Sequence, residues 1–564
     1  MTWIGGILTK ADMGQDELGK KLNLMARTAC WSNGASAEDS HEFIISTVNA
    51  APDNALMRVS LLGEGTASRQ VYADGDQRLT LIYDGYLYGS EGGESRPSGV
   101  RHGRNGAVAD SLVHLLAELP GPLHENVRQA LSDVDGDYTL AVSDASQTVI
   151  CRNSLGTRPL YLAEDDRFSA FASTKRPLWK IGLGEVRSLR AAMLAGLDSR
   201  GIVITEASRL EEADSNITDM TRAVDHYEQA LCSAIRKRLT GVDHLSSVGV
   251  LLSGGVDSCL IAKVIHDVAP ALGMEVIAYT VGLPDSPDVN SARRFAEALG
   301  MKHKTRILSV ERIAQSIPEV LEAVEDSDFV QVETGIGIYA AVDMAGRDGI
   351  RVLFSGQGAD EQWGGYSWYP KVLGRDGREE LCRRMWEDFT MADIETLDRE
   401  NKIAMACGVD LLFPYLDREV VDVSRGVASE LKVISEEDHL GKHPHRNLAV
   451  RMGIPEEYSS RGKLAIQHGT GIHGVLDEIA RKHGFDPGLV RDIGYKNEEI
   501  TAVRMGSSSR YGYRYAQRKL WQVPPHVQFF LHALAYKKGL LDRPIRDRVG
   551  HFLDKTGRSL QPSD

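Results

Sequence analysis

The segment "VGVLLSGGVDSCL", Val248–Leu260, decides how this chain is read. Its first half has the length and β-branched apolar composition of a buried strand, and Ser253-Gly254-Gly255-Val256-Asp257-Ser258 follows directly. Paired glycines after a strand allow a tight turn and close approach of a ligand to the backbone. A helical pattern, "DSCLIAKVIHDVA", begins inside the turn. Backbone N–H groups at a helix opening favour an anion such as phosphate, and the hydroxyls of Ser253 and Ser258 add donors. Asp257 would repel a bare phosphate, so it implies a bridging divalent cation, most simply Mg²⁺. No Gly-Lys-Ser/Thr follows, so this is not a Walker loop. The plainer alternative is a strand–helix turn with a capping aspartate. Six positions in the right strand–turn–helix context favour the phosphate site.

The surroundings support that placement. Helix "AVDHYEQALCSAIRKRL" precedes the strand, and "EVIAYTVGL", "HKTRIL" and "IRVLFSG" read as further strands between helical segments. This alternation predicts a doubly wound parallel sheet, with ligands beyond the carboxyl ends of its strands. One of those ends, "SGQGADEQWGGY", is a second glycine turn with Asp360 and Glu361 just beyond it. Asp257 and Asp360 are therefore expected to share the metal from neighbouring strand ends. Residues 1 to about 210 read mostly as strands with two helical interruptions, an α+β domain with antiparallel sheets. The polar stretch "LEEADSNITD" reads as a linker, and Tyr495–Asp564 as mostly helical. The expected domains are 1–212, 218–490 and a helical extension, 491–564, on the second of these.

The chain has 564 residues, 42% of them hydrophobic, which suits more than one ordinary core. Its net charge of −14 argues against a nucleic-acid-coating protein. Six scattered cysteines without CxxC or metal spacing read as reduced thiols. Neither a signal peptide nor a run of membrane-spanning length is evident, so a cytoplasmic location is expected. The basic, aromatic "SSSRYGYRYAQRKLW", Ser507–Trp521, invites an RNA-binding reading, but a helix packed on the second domain is preferred.

The phosphate loop resembles that of N-type ATP pyrophosphatases. With "LLSGGVDS", "VGLPDSPD", "SGQGADEQWGGY", "NKIAMACGVDLLFPYLD" and "RGKLAIQHGTGI", the chain resembles the asparagine synthetase B family over nearly its whole length. The first domain, with "LIYDGYLYG" and "DVDGDYTLAVSDASQTVICRNSLGTRPLY", resembles that family's glutaminase domain, an Ntn-hydrolase-like αββα sandwich. The resemblance implies that ATP activates a carboxylate as an acyl-adenylate, which an amine then attacks. It assigns Leu251, Ser253, Gly254, Gly255, Asp257, Ser258, Val281, Ser355 and Gly356 to the nucleotide, with Leu283 beside Val281 in the adenine slot. It assigns Asp257 and Asp360 to Mg²⁺, and Lys463 to charge neutralisation on adenylate and pyrophosphate. Gln357 and Glu333 fall at the reacting end.

Several positions depart from the family pattern. The glutaminase nucleophile is a cysteine at position 2, where this chain has Thr2. Threonine can act as an N-terminal nucleophile with its own amine as base. However, Asn-Gly-Glu has become Asp84-Gly85-Tyr86, which by the resemblance removes the oxyanion-stabilising amide and the carboxylate that receives glutamine's ammonium, although Arg58 and Asp110 match retained positions. In the second domain Val330-Gln331-Val332-Glu333 stands for Thr-Thr-Ile-Arg, Asp410 for glutamate and Leu412 for arginine. Gln357 stands where asparagine synthetases have glutamate and β-lactam synthetases tyrosine. Replacing arginine by glutamate favours a cationic substrate group over aspartate, unless Glu333 lies outside the pocket. Glu395 and Asp398 are candidates for a nearby carboxylate.

The resulting expectation is an ATP-dependent amide-forming ligase that does not hydrolyse glutamine. Its partners are a small-molecule carboxylate and an amine, with no membrane or nucleic acid, and a homodimer is the assembly considered. The alternatives are an asparagine synthetase and a non-catalytic ATP-binding regulator.

Overall fold

The computed structural model describes residues 2–10, 13–29, 43–51, 54–61, 71–74, 78–88, 105–131, 134–207, 216–496 and 523–557. The amino-terminal part is built from two six-stranded sheets whose strands pair antiparallel. The strand Thr2–Thr9 lies inside one sheet and Thr80–Tyr88 inside the other. Side chains along Thr2–Thr9 alternate between two cores, as the two-residue period of a strand requires. Ile4 and Leu8 point between the sheets, where they meet Leu56, Ile82 and Phe171. Trp3 and Ile7 point outward, under the helix Gln15–Ala29. Helices Asn105–Glu118 and Leu123–Leu131 cover the outer face of the second sheet. The result is the expected αββα sandwich.

The next part contains a five-stranded parallel sheet, ordered Lys302–Ile307, Glu275–Gly282, Ser247–Leu251, Val352–Phe354, Asp410–Leu412. Its central strands are apolar on both faces because helices cover both faces. The helix Phe329–Arg347 has buried residues all round its axis, as suits a core helix. From Ser247–Leu251 the chain first builds outward on one side and later returns to the other side through Val352–Phe354. The strand order therefore reverses between these two neighbours, which places a ligand crevice at their carboxyl ends. The carboxy-terminal helices Pro525–Lys538 and Arg543–Lys555 share a core with Phe329–Arg347, and Phe329 N–H donates to Gln528 Oε1 at 2.9 Å. Ser507–Trp521 and most of the polar linker lie outside the described residues.

Buried charges join the two parts. Arg158 Nη1 donates to Asp410 Oδ1 at 2.8 Å, and Arg152 Nη2 to Asp398 Oδ1 at 3.0 Å. From the other side, Arg238 reaches Asp137 at 3.0 Å as well as its own domain's Asp417. Each of these side chains is almost completely buried, so removing one partner would leave the other charge stranded.

Candidate active site

The loop after Ser247–Leu251 is held by its own serines. Ser258 Oγ accepts from Ser253 N–H and donates to the Gly255 carbonyl, each at 3.1 Å, and it lies 3.1 Å from Ser253 Oγ. Gly254 has φ +72°, and a Cβ there would stand 2.6 Å from Ala292 N, so glycine is required on both counts. Gly255 caps the helix Val256–Val268, which carries Asp257 in its first turn. The second glycine turn packs directly on the first: a Cβ at Gly356 would lie 3.1 Å from Ser258 N and 3.2 Å from Asp257 C. The two strand ends thus form one continuous surface.

Asp257 and Asp360 do converge, and an ammonium that the sequence reading missed stands between them. Lys442 Nζ lies 2.6 Å from Asp257 Oδ1 and 2.7 Å from Asp360 Oδ1. Lys463 donates to the other oxygen of Asp360. Burial opposes ionisation of Asp257, but Lys442, His445 and Lys463 outweigh it and hold the carboxyl well below its ordinary value. The Lys463 ammonium loses hydration on burial, yet Asp360 and Asp257 hold its proton more tightly than usual. Lys442 is a non-glycine residue with φ +56°, at the turn opening His443–Arg451. Nothing in "DHLGKHPHRN" marks it as part of the site; only the turn brings it there.

Two carboxylates of hard oxygen are donors that Mg²⁺ commonly takes, completing its shell with phosphate and water, but here Lys442 bridges them and Lys463 holds the second oxygen of Asp360, so an ion would have to replace an ammonium contact. No group of three or more potential metal-ligating side chains occurs among the described residues, so the protein alone supplies an incomplete shell.

Arg461 fastens the Lys463 segment over the loop. It donates to the Ser253 carbonyl at 3.0 Å and to Asp288 at 2.8 Å. Leu251 ends the central strand, while Val281 lies near the end of the strand beside it. Leu283 N–H donates to the Thr470 carbonyl at 2.8 Å, closing that edge. Ser355 Oγ accepts from Gln357 N–H and donates to Glu400, each at 3.3 Å.

Glu333 is buried in the helix Phe329–Arg347, near the 466–474 segment that continues from Lys463. Its Oε1 lies 3.1 Å from His473 Nδ1, the Gly474 N–H also faces the carboxyl, and Oε2 makes no hydrogen bond of good geometry among the described residues. Burial pushes its carboxyl up to about 7. The other proposed carboxylates differ. Asp398 serves the domain seam, where it accepts from Arg152 and from Tyr161 at 2.8 Å. Glu395 is pushed up to about 8 by burial and then by the neighbouring charge of Glu361.

In the first domain, Thr2 Oγ1 donates to Asp84 Oδ1 at 2.6 Å. Burial pushes the Asp84 carboxyl upward, against the attraction of Arg158. Tyr86 OH crosses the seam and donates to Asp410 Oδ2 at 3.0 Å. The strand carrying Arg58 pairs with Thr2–Thr9, placing Ile4 opposite Arg58, and Asp110 belongs to the helix Asn105–Glu118.

Comparison with known proteins agrees with this architecture. The asparagine synthase family model matches residues 226–387 and 373–532, and a glutamine amidotransferase domain model matches 57–180. A Methanocaldococcus jannaschii protein, provisionally named an asparagine synthetase, is 30% identical over 66% of this chain and 76% of its own length. Asparagine synthetase B (glutamine-hydrolyzing) of Escherichia coli is 25% identical over 78% of this chain and 79% of its own length. A Lotus japonicus asparagine synthetase (glutamine-hydrolyzing) is 30% identical over 75% of this chain and 72% of its own length.

Proposed function

The chain belongs to the asparagine synthase family, a carbon–nitrogen ligase forming AMP and pyrophosphate, and on that premise we propose that it adenylates a carboxylate other than aspartate and joins it to ammonia or a substrate amine without hydrolysing glutamine. One observation carries the reading. Tyr86, at the position where the family places a glutamine-binding glutamate, gives its hydroxyl to Asp410 in the other domain. That side chain is committed to the seam and offers glutamine's ammonium no carboxylate.

The nucleotide would lie across the two packed glycine turns, its phosphates meeting the helix opening and the hydroxyls of Ser253 and Ser258. Mg²⁺ held by Asp257 and Asp360 would supply charge neutralisation on those phosphates. Lys463 and Lys442, preorganised beside the carboxylates, would stabilise negative charge as pyrophosphate leaves. Arg461 holds the lysine segment over the loop. Glu333, with one oxygen making no hydrogen bond of good geometry among the described residues, favours a substrate bearing an amine or guanidinium, which would draw the carboxyl back to its ionised form.

The 2.6 Å contact of Thr2 with Asp84 favours a second reading, in which the carboxylate activates threonine as the glutaminase nucleophile. Pyrophosphate release with ATP, measured over a panel of carboxylates with ammonia or glutamine as nitrogen source, separates the readings. Release dependent on a cationic carboxylate, with no glutamate formed from glutamine, supports the proposal. Release dependent on aspartate, or stoichiometric glutamate, overturns it.

A further inference from the structure

A cavity of about 560 Å³ opens beside the short helix Ala359–Trp363, whose Glu361 and Gln362 line it. Small-molecule sites span roughly 300–1,000 Å³, so this volume suits a ligand. Trp386 and Phe389, their ring centroids 5.7 Å apart, form one wall with Met385, and Val421 and Val427 add apolar surface.

Lys432 also lines it. This residue is only 8% exposed, and its ammonium has neither a hydrogen-bond partner nor a carboxylate within ion-pair distance among the described residues. The Trp363 ring centroid lies 5.6 Å from its Nζ, and the Cys382 thiol lines the same cavity beside it. A buried charge without a counter-charge is costly, and burial, against the opposing pull of the Cys382 thiol, brings its pKa down to about 8. Arg425 adds a second cation: its guanidinium lies 5.3 Å from the Trp386 ring centroid, and its Nε has no hydrogen-bond partner among the described residues. Its nearest acid, Asp422, is 3.6 Å from Nη1.

The acids around the cavity are placed differently. Asp376 and Glu380, near the mouth, pair with Arg375 and Arg383, and Glu379 is exposed to solvent. Glu361 is buried and accepts from Tyr366.

We propose that this cavity binds an organic anion with an aromatic or branched apolar body, its carboxylate or sulfonate on Lys432 and Arg425 and its body against Trp386 and Phe389. It is separate from the nucleotide loops but shares with them the helix Ala359–Trp363, in which Glu361 faces the cavity and the preceding Asp360 faces Lys442 and Lys463.

The test uses the full chain and the fluorescent anion 1-anilinonaphthalene-8-sulfonate, with 3-phenylpropionate as competitor. The folded protein should bind one probe per chain, displaced by phenylpropionate and not by Mg-ATP. Lys432→Met keeps the side-chain length and removes the charge. It should raise the probe's Kd about tenfold or more, the usual effect of losing a charge-assisted contact. Val421→Trp should block the cavity and abolish binding, while a normal melting curve confirms folding in both variants. Equal affinity in Lys432→Met, displacement by Mg-ATP, or no binding to the folded wild type would overturn the proposal.

Discussion

Tyr86, from the amino-terminal domain, donates its hydroxyl at 3.0 Å to Asp410, at the edge of the parallel sheet. Asp410 also receives Arg158, and although burial disfavours its charge, neighbouring cations hold its carboxyl below the ordinary range. Tyr86→Phe should lower stability by about 1–3 kcal/mol, the cost of losing a buried bond to a charged acceptor. Asp410→Asn should cost more, about 3–5 kcal/mol, because Arg158 is left buried without its counter-charge. Chemical denaturation of both variants checks the order.

Gly365 lies beside the two-lysine cluster. A Cβ there would come within 2.0 Å of Lys442 Cε and 2.2 Å of Asp360 Oδ1. Gly365→Ala should therefore displace Lys442 and reduce pyrophosphate release about a hundredfold, equivalent to a loss of about 2.7 kcal/mol in the transition state. Lys442→Met should do the same without the steric clash. Retention of wild-type turnover by folded Lys442→Met would remove that residue from the site.

Asp257→Ala and Asp360→Ala should each abolish pyrophosphate release while the protein stays folded. ATP affinity measured by calorimetry with and without Mg²⁺ provides a readout independent of turnover. The wild type should gain affinity from the metal, and neither variant should.

Glu333 gives a pH-dependent expectation. Its carboxyl keeps its proton up to about pH 7 in the native state, while the unfolded chain releases it near 4.5. Between those values the native state binds more protons, so this group's contribution to stability falls as pH rises and levels off above about 7. Glu333→Gln should stabilise the free protein by about 1–3 kcal/mol at pH 8 and hardly at all at pH 5. The same variant should weaken the cognate carboxylate far more than ATP. Melting curves at the two pH values and the two KM values test both halves.

Thr2→Ala should leave ligase activity unchanged and release no glutamate from glutamine before or after the change. Its structural effect is the loss of the bond to Asp84, with a stability decrease of about 1–3 kcal/mol. A glutaminase activity present in the wild type and lost in Thr2→Ala would make the hydroxyl a nucleophile.

The parallel sheet and its two glycine turns were legible because local signals specify them: an apolar run, glycines needing a positive φ or close approach, and acids at the following helix. Asp257 and Asp360 fall together for that reason, whereas Lys463 is reached only through the family resemblance. Lys442 was not legible. It lies 185 residues from Asp257, and its place depends on a left-handed turn in a segment without motif character. In sequence Tyr86 shows only a lost glutamate, whereas its hydroxyl makes a bond to a residue 324 positions away. A substitution shows locally what has disappeared; what has been gained is set by the tertiary fold. The opposed glycine turns have the same character, since the 3.1 Å approach of Gly356 to Ser258 is invisible until the strand order is known.

The charged seam has a practical corollary for anyone wishing to cut this protein in two. Released from its neighbour, the sheet domain would present Asp410 without Arg158 and Tyr86, Asp398 without Arg152 and Tyr161, and Arg238 without Asp137. The sandwich would carry the complementary scars. Water can hydrate those exposed groups, but the apolar surface around them would become newly available for self-association. Separately expressed halves should therefore be poorly soluble, and mixing them should restore solubility before it restores turnover.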